Sequence, residues 1–185
     1  MMQVPDYPRW INLMRDFSIA TFNRFRDADA NVGYILGLWS RMADALPYVG
    51  KLPLGPRRGP EPLVDTIAPQ IASEYVKSRL LLAQKLADDD DEVMDPYIDG
   101  NDDNVRAEVE QLPRLFRQQY ALVSKGIASM WDPRQARYEE IMQQYKAATQ
   151  SGAGPPPASV AKAKHRLEYE LAWLVYIISS VVGAQ

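Results

Sequence analysis

The stretch "NVGYILGLWSRMADALP", residues 31–47, decides the fold class. Val32, Ile35, Leu36, Trp39, Met42, Ala43 and Leu46 recur at the i, i+3, i+4, i+7 spacing of one helical face. Asn31 is placed to cap that helix and Pro47 to end it. The same spacing continues outward in both directions. Trp10, Leu13, Met14, Phe17 and Phe25 form a broader amphipathic segment upstream, and Val64, Ile67, Ala68, Ile71, Tyr75 and Leu82 mark another downstream. Pro69 either kinks that third segment or starts a fresh helix. A fourth segment spans about 105–130 with an interruption at Pro113. In the fifth, Asp132, Pro133 and Gln135 stand where a capping signal would put them. The sixth begins near Ser159. Alternating strand patterns, hairpin dipeptides and internal repeats are absent, so the sequence predicts an all-α protein: an irregular bundle of five to seven helices with long Pro-rich connections.

Those connections suggest the organisation. "PYVGKLPLGPRRGPEP", residues 47–62, holds five prolines and three glycines, which is long for a helix–helix turn and reads as a crossover. "SGAGPPPA", residues 151–158, reads as a semi-rigid spacer. The expected division is a helical bundle over 1–150, with an acidic loop at 88–104, then that linker, then a buried or docking helix over 159–185.

Composition excludes several chemistries. With no cysteine, there can be no disulfide, thiolate-bound metal or thiol nucleophile. The net charge of −3 argues against nucleic acid as a partner. That charge is unevenly placed: residues 1–60 carry +3, residues 61–110 carry −10 and residues 111–185 carry +4. The first residues lack the basic and apolar regions of a signal peptide. The reading is of a cytoplasmic protein, or part of an intracellular or viral assembly.

No set of side chains forms a catalytic constellation, so no catalytic residue and no cofactor is assigned. His165 is the sole histidine, with no hydroxyl nucleophile or second ligand near it in sequence. Glu139 with Glu140, and Glu168 with Glu170, point in different directions on a helix and read as solvated. Gly33 and Gly37, four apart, suggest close approach of a neighbouring helix. Asp99, Asn101, Asp103 and Glu110 match positions 1, 3, 5 and 12 of a calcium loop, but Asn104 replaces the turn glycine and Arg106 the usual aliphatic residue. A solvated acidic loop is the simpler reading.

The final helix carries no charge from Leu171 to Ala184. Those residues would rise about 21 Å as a helix, short of the roughly 30 Å hydrocarbon core. Apolar side chains on both faces instead suit burial nearly all round. Leu167 to Val181 would seal the helix's own bundle, while Trp173, Tyr176 and Ile177 meet another element or another chain. Arg57 and Arg58, at the tip of the crossover, are candidates for contact with an acidic partner.

The leading expectation is a non-catalytic structural or interaction protein, a subunit of a larger assembly such as a virion shell or organelle complex, with protein partners or a second copy of itself. One alternative is a membrane-peripheral protein attached by its C-terminal helix. Another is a ligand-binding helical protein or enzyme whose pocket is lined by Tyr34, Trp39, Trp173 and Tyr176. For the acidic loop, millimolar calcium is expected to leave the melting temperature unchanged. A rise of several degrees that Asp99→Ala abolishes would establish a calcium site.

Overall fold

The computed structural model describes residues 6–24, 29–51, 63–88, 103–117, 119–150 and 155–183. Seven helices are present among them: α1 (Tyr7–Phe22), α2 (Asp29–Lys51), α3 (Leu63–Asp88), α4 (Asp103–Val109), α5 (Leu112–Arg117), α6 (Tyr120–Gln150) and α7 (Ala158–Gly183). No strand occurs among the described residues. The protein is all-α.

Helix α3 is the axis of the bundle. It packs against α1, α2, α5, α6 and α7, and reaches α4 through its side chains. Its sequence prepares it for that place. Val64, Ile67, Ala68, Ile71, Ala72, Tyr75, Val76, Leu80, Leu82 and Ala83 are all buried, and they cover most of the helix circumference rather than one stripe. Around it, Ile11 and Phe22 from α1, Leu36 and Trp39 from α2, Leu112, Leu115 and Phe116 from α5, and Trp173, Leu174 and Ile177 from α7 complete the core. Helix α7 packs chiefly on α3 and α6.

Several boundaries differ from those the sequence suggested. α2 starts two residues before Asn31 and continues past Pro47 to Lys51. Pro69 lies inside one continuous α3. The break near Pro113 falls instead at residues 110–111, and Pro113 stands in the first turn of α5, where a missing N–H costs nothing. The capping signal at Asp132 is overridden: α6 runs through Pro133, and Asp132 is exposed in mid-helix. Val123 and Ile127 before the proline and Ile141 after it are all buried, and that packing offsets the roughly 3 kcal/mol a helix-interior proline costs. The linker at 151–158 gives way to helix at Ala158, and its first four residues lie outside the described ones, as do Phe25 and most of the 47–62 crossover.

Polar groups tie the helices at several points, three of them in the main core. Trp39 on α2 donates its indole N–H to Ser18 Oγ on α1 (2.9 Å), and Ser18 in turn donates to the Met14 carbonyl. Ser40 donates to the Gln111 carbonyl between α4 and α5 (2.8 Å). The third point is ionic. Arg79 on α3 is 2% exposed and Glu108 on α4 is 3% exposed. Arg79 Nη2 donates to both Glu108 carboxylate oxygens, at 2.8 and 2.6 Å, and the Tyr75 hydroxyl donates to Oε2 at 2.9 Å. The guanidinium also lies 5.3 Å from the Tyr75 ring centre and 5.6 Å from that of Trp173, within cation–π range. One cluster therefore joins α3, α4 and α7.

Gly33 of α2 faces this cluster. A Cβ there would meet the Glu108 side chain at 3.9 Å, an ordinary contact, and one on Gly37 would meet nothing. The expected close helix approach at these glycines is therefore not what the packing demands.

Burial, reinforced by the Glu108 charge, raises the Tyr75 hydroxyl far above its ordinary value of 10. An unfolded chain gives up this proton as the pH passes that value, while the folded chain keeps it. The stability it contributes is fully present below that pH and shrinks as pH rises beyond it. Tyr75→Phe should flatten the alkaline loss of stability, read from urea unfolding at a series of pH values. An unchanged alkaline slope would show that the hydroxyl is not held protonated.

Candidate interaction surfaces

Among the described residues, two grooves on the bundle stand out. The larger, about 550 Å³, lies between α3 and the first half of α6. Its floor is Val76, Phe116, Val123 and Ile127, and Glu74 and Lys77 lie on its lining, paired with each other at 2.7 Å. The second, about 280 Å³, is bounded by Phe116, Tyr120, Val123, Ile127 and Trp131 on one side and Ile178, Val181 and Val182 on the other. It is the more apolar of the two.

A third surface is a helix face. Tyr7, Trp10, Leu13 and Phe17 on α1 are exposed, with Tyr7 and Trp10 stacked at 6.5 Å between ring centres. The sequence spacing put Trp10, Leu13, Met14 and Phe17 on the apolar face of this amphipathic segment. Instead Ile11, Ser18, Thr21 and Phe22 carry the buried face, because Ser18 and Thr21 bond back to helix carbonyls and can turn inward.

The residues singled out from the sequence are dispersed. Trp173 and Ile177 lie in the chain's own core, and Tyr176 is half-buried beside them. The exposed apolar side chains of α7 are Val175 and Val182. Leu167 and Leu174 of the expected stripe are buried and Leu171, Ile178 and Val181 are half-buried, so the seam of α7 keeps that stripe and widens it to Trp173 and Ile177. Arg57, Arg58, Asp99 and Asn101 lie outside the described residues. Asp103 opens α4 and Glu110 follows its end, so a helix separates these two candidate ligands. Glu110 is exposed and pairs with Arg106 at 3.2 Å.

The pocket imagined around Tyr34, Trp39, Trp173 and Tyr176 does not form. Tyr34 is 81% exposed while Trp39 is fully buried, and none of the four lines either groove. His165 is exposed, set edge-on to Tyr169 at 4.6 Å. Glu139 and Glu140 are solvated as expected, but Glu170 is not. It is buried between Arg134 of α6 and Arg166, the latter at 3.4 Å. Among the described residues, no helix is long and apolar enough to cross a membrane, and no three His, Cys, Asp or Glu side chains converge as a metal set.

The relatives of this chain give the surfaces a context. Exportin-7-B of Xenopus laevis is 29% identical over 186 residues, covering all of this chain and 15% of the relative. Ran-binding protein 17 of Homo sapiens is 28% identical over 187 residues with the same coverage, and Ran-binding protein 16 of Drosophila melanogaster is 28% identical over 184 residues, 98% of this chain and 14% of the relative. The chain thus spans about one seventh of the length of the curated relatives it matches. No solved structure matches it. The family described as "Exportin-7-like, TPR domain" matches residues 83–185, from the last turns of α3 through α7. With more than half of its residues inside that match, the chain belongs to the Exportin-7-like TPR domain family.

Proposed function

We propose that this chain is a non-catalytic protein-interaction module of a nuclear transport receptor, working as one section of a longer helical protein. The observation that carries the reading is the family match, supported by likeness along the whole chain to proteins named as exportins and Ran-binding proteins. The bundle is suited to that role. Its side chains build grooves and an exposed aromatic helix face. A subunit of a larger assembly remains part of the reading, but a virion shell or organelle complex finds no support in these likenesses.

The partner follows from the relatives' names and from charge. Ran is the proposed protein partner, and the acidic segment at 88–104 is the proposed contact for a basic surface on it. Charge of that density draws an oppositely charged surface over about 8–10 Å in physiological salt and loses its hold as salt rises. Arg57 and Arg58 are proposed to face an acidic surface in the same way.

Calorimetric titration of this chain with Ran tests the reading. Binding is expected, weakening as salt increases and falling about tenfold when Asp88, Asp89, Asp90 and Asp91 are all replaced by asparagine, a loss of about 1.4 kcal/mol. Absence of binding to Ran in low salt would overturn the proposed partner. Salt-independent binding would overturn the role of the acidic segment.

A further inference from the structure

Helix α6 is divided by its own chemistry. Up to Trp131 it belongs to the main core: Val123 and Ile127 are core side chains, and Met130 and Trp131 pack against them. Two residues later comes Pro133, which removes the N–H that would bond the Ser129 carbonyl and crowds that carbonyl with its ring. Beyond it, from 134 to 150, the one buried side chain is Ile141.

Side chains bridge the break. Trp131 Nε1 donates to Gln135 Oε1 at 2.6 Å, and Arg134 Nη1 donates to the Met130 carbonyl at 2.8 Å. Arg134 also donates from Nε to Glu170 Oε2 on α7. Glu170 is 4% exposed, and its carboxylate is paired with the guanidinium groups of Arg134 and Arg166.

Further out, the two helices meet through polar rungs. The Tyr138 hydroxyl donates to Glu168 at 3.1 Å, Lys164 pairs with Glu168 at 2.7 Å, and Lys164 lies 5.5 Å from the Tyr145 ring centre. These contacts set the register of an antiparallel hairpin, whose outer part also holds the buried side chains of Ile141 and Leu167. The rungs beyond Glu170 are partly solvated and hold weakly.

We propose that the outer half of α6, residues 134–150, is a separately opening unit, hinged at Pro133 and latched to α7 by the Arg134–Glu170 pair. With the latch closed, α6 is one helix and Ile141 and Leu167 are covered. With it open, the outer half swings from α7 while the core half of α6 stays on α3. The device goes beyond the interaction reading, since it needs no partner to operate.

Hydrogen exchange by mass spectrometry on this chain and its variants tests the device. Glu170→Gln keeps the volume and removes the charge. Exchange of residues 134–150 should quicken at least tenfold, while residues 120–131 and 173–177 keep the parent rates. Pro133→Ala removes the hinge, so it should slow exchange in 134–150 in the otherwise unaltered chain and cancel most of the effect of Glu170→Gln when the two are combined. Equal quickening across α3, α6 and α7 in Glu170→Gln would make Glu170 a general stabiliser and overturn the latch. Unchanged exchange in Pro133→Ala would overturn the hinge, and this arm stands even if Glu170→Gln does not fold.

Discussion

The ion pair of Arg79 and Glu108 is the interaction on which the rest of the bundle depends. Two full charges have been taken out of water at the meeting point of α3, α4 and α7. In such surroundings either charge alone is intolerable, and each becomes acceptable only when the other is in place. The pair therefore acts as a condition on assembly. α4 is only seven residues long and could not hold its place by its own helix strength. Glu108 fixes it on α3, the Tyr75 hydroxyl orients the carboxylate, and the Trp173 ring brings α7 over the guanidinium. Dispersion and hydrophobic burial hold the core together, while this cluster selects which helices meet.

Much of the fold was legible in the residues. The spacing of Val32, Ile35, Leu36, Trp39 and Ala43 on α2 translates directly into burial. So does the face of α3 from Val64 to Leu82. Helix boundaries were less legible, because a local signal competes with distant packing. Pro133 follows Asp132 as a helix start would have it, yet apolar partners on α3 and α7 carry α6 straight through. On α1 the aromatic residues drew the eye to the wrong face. A serine and a threonine that satisfy their own hydroxyls can line a core, and Trp39 makes use of Ser18 there.

The buried charges left a trace that spacing alone could have revealed. Arg79 stands eight residues after Ile71 and four after Tyr75, on the same helical face as Leu82. Glu108 sits among Val105, Val109 and Leu112 in the same way. A lone charge on each of two apolar faces, opposite in sign, is a pattern for a buried pair. Glu170 gave less warning, since Glu168 and His165 nearby made its surroundings look solvated. Its partner Arg134 lies 36 residues away across the hairpin, a distance no local pattern spans.

These features suit the proposed role of an interaction module. The α3 axis and its ionic cluster make a stiff body, while the outer part of the α6–α7 hairpin buries few apolar side chains and carries the proposed Arg134–Glu170 latch. A stiff body with a movable edge can present grooves of fixed shape and still adjust to what it meets. The stiff body rests on Arg79 and Glu108, and a double-mutant cycle tests that most directly. Arg79→Met and Glu108→Leu, singly and together, would be compared by urea unfolding. Each single change should cost about 3–5 kcal/mol, and the double should cost far less than their sum because no uncompensated charge is left. Additive losses, with no coupling between the two sites, would contradict the account.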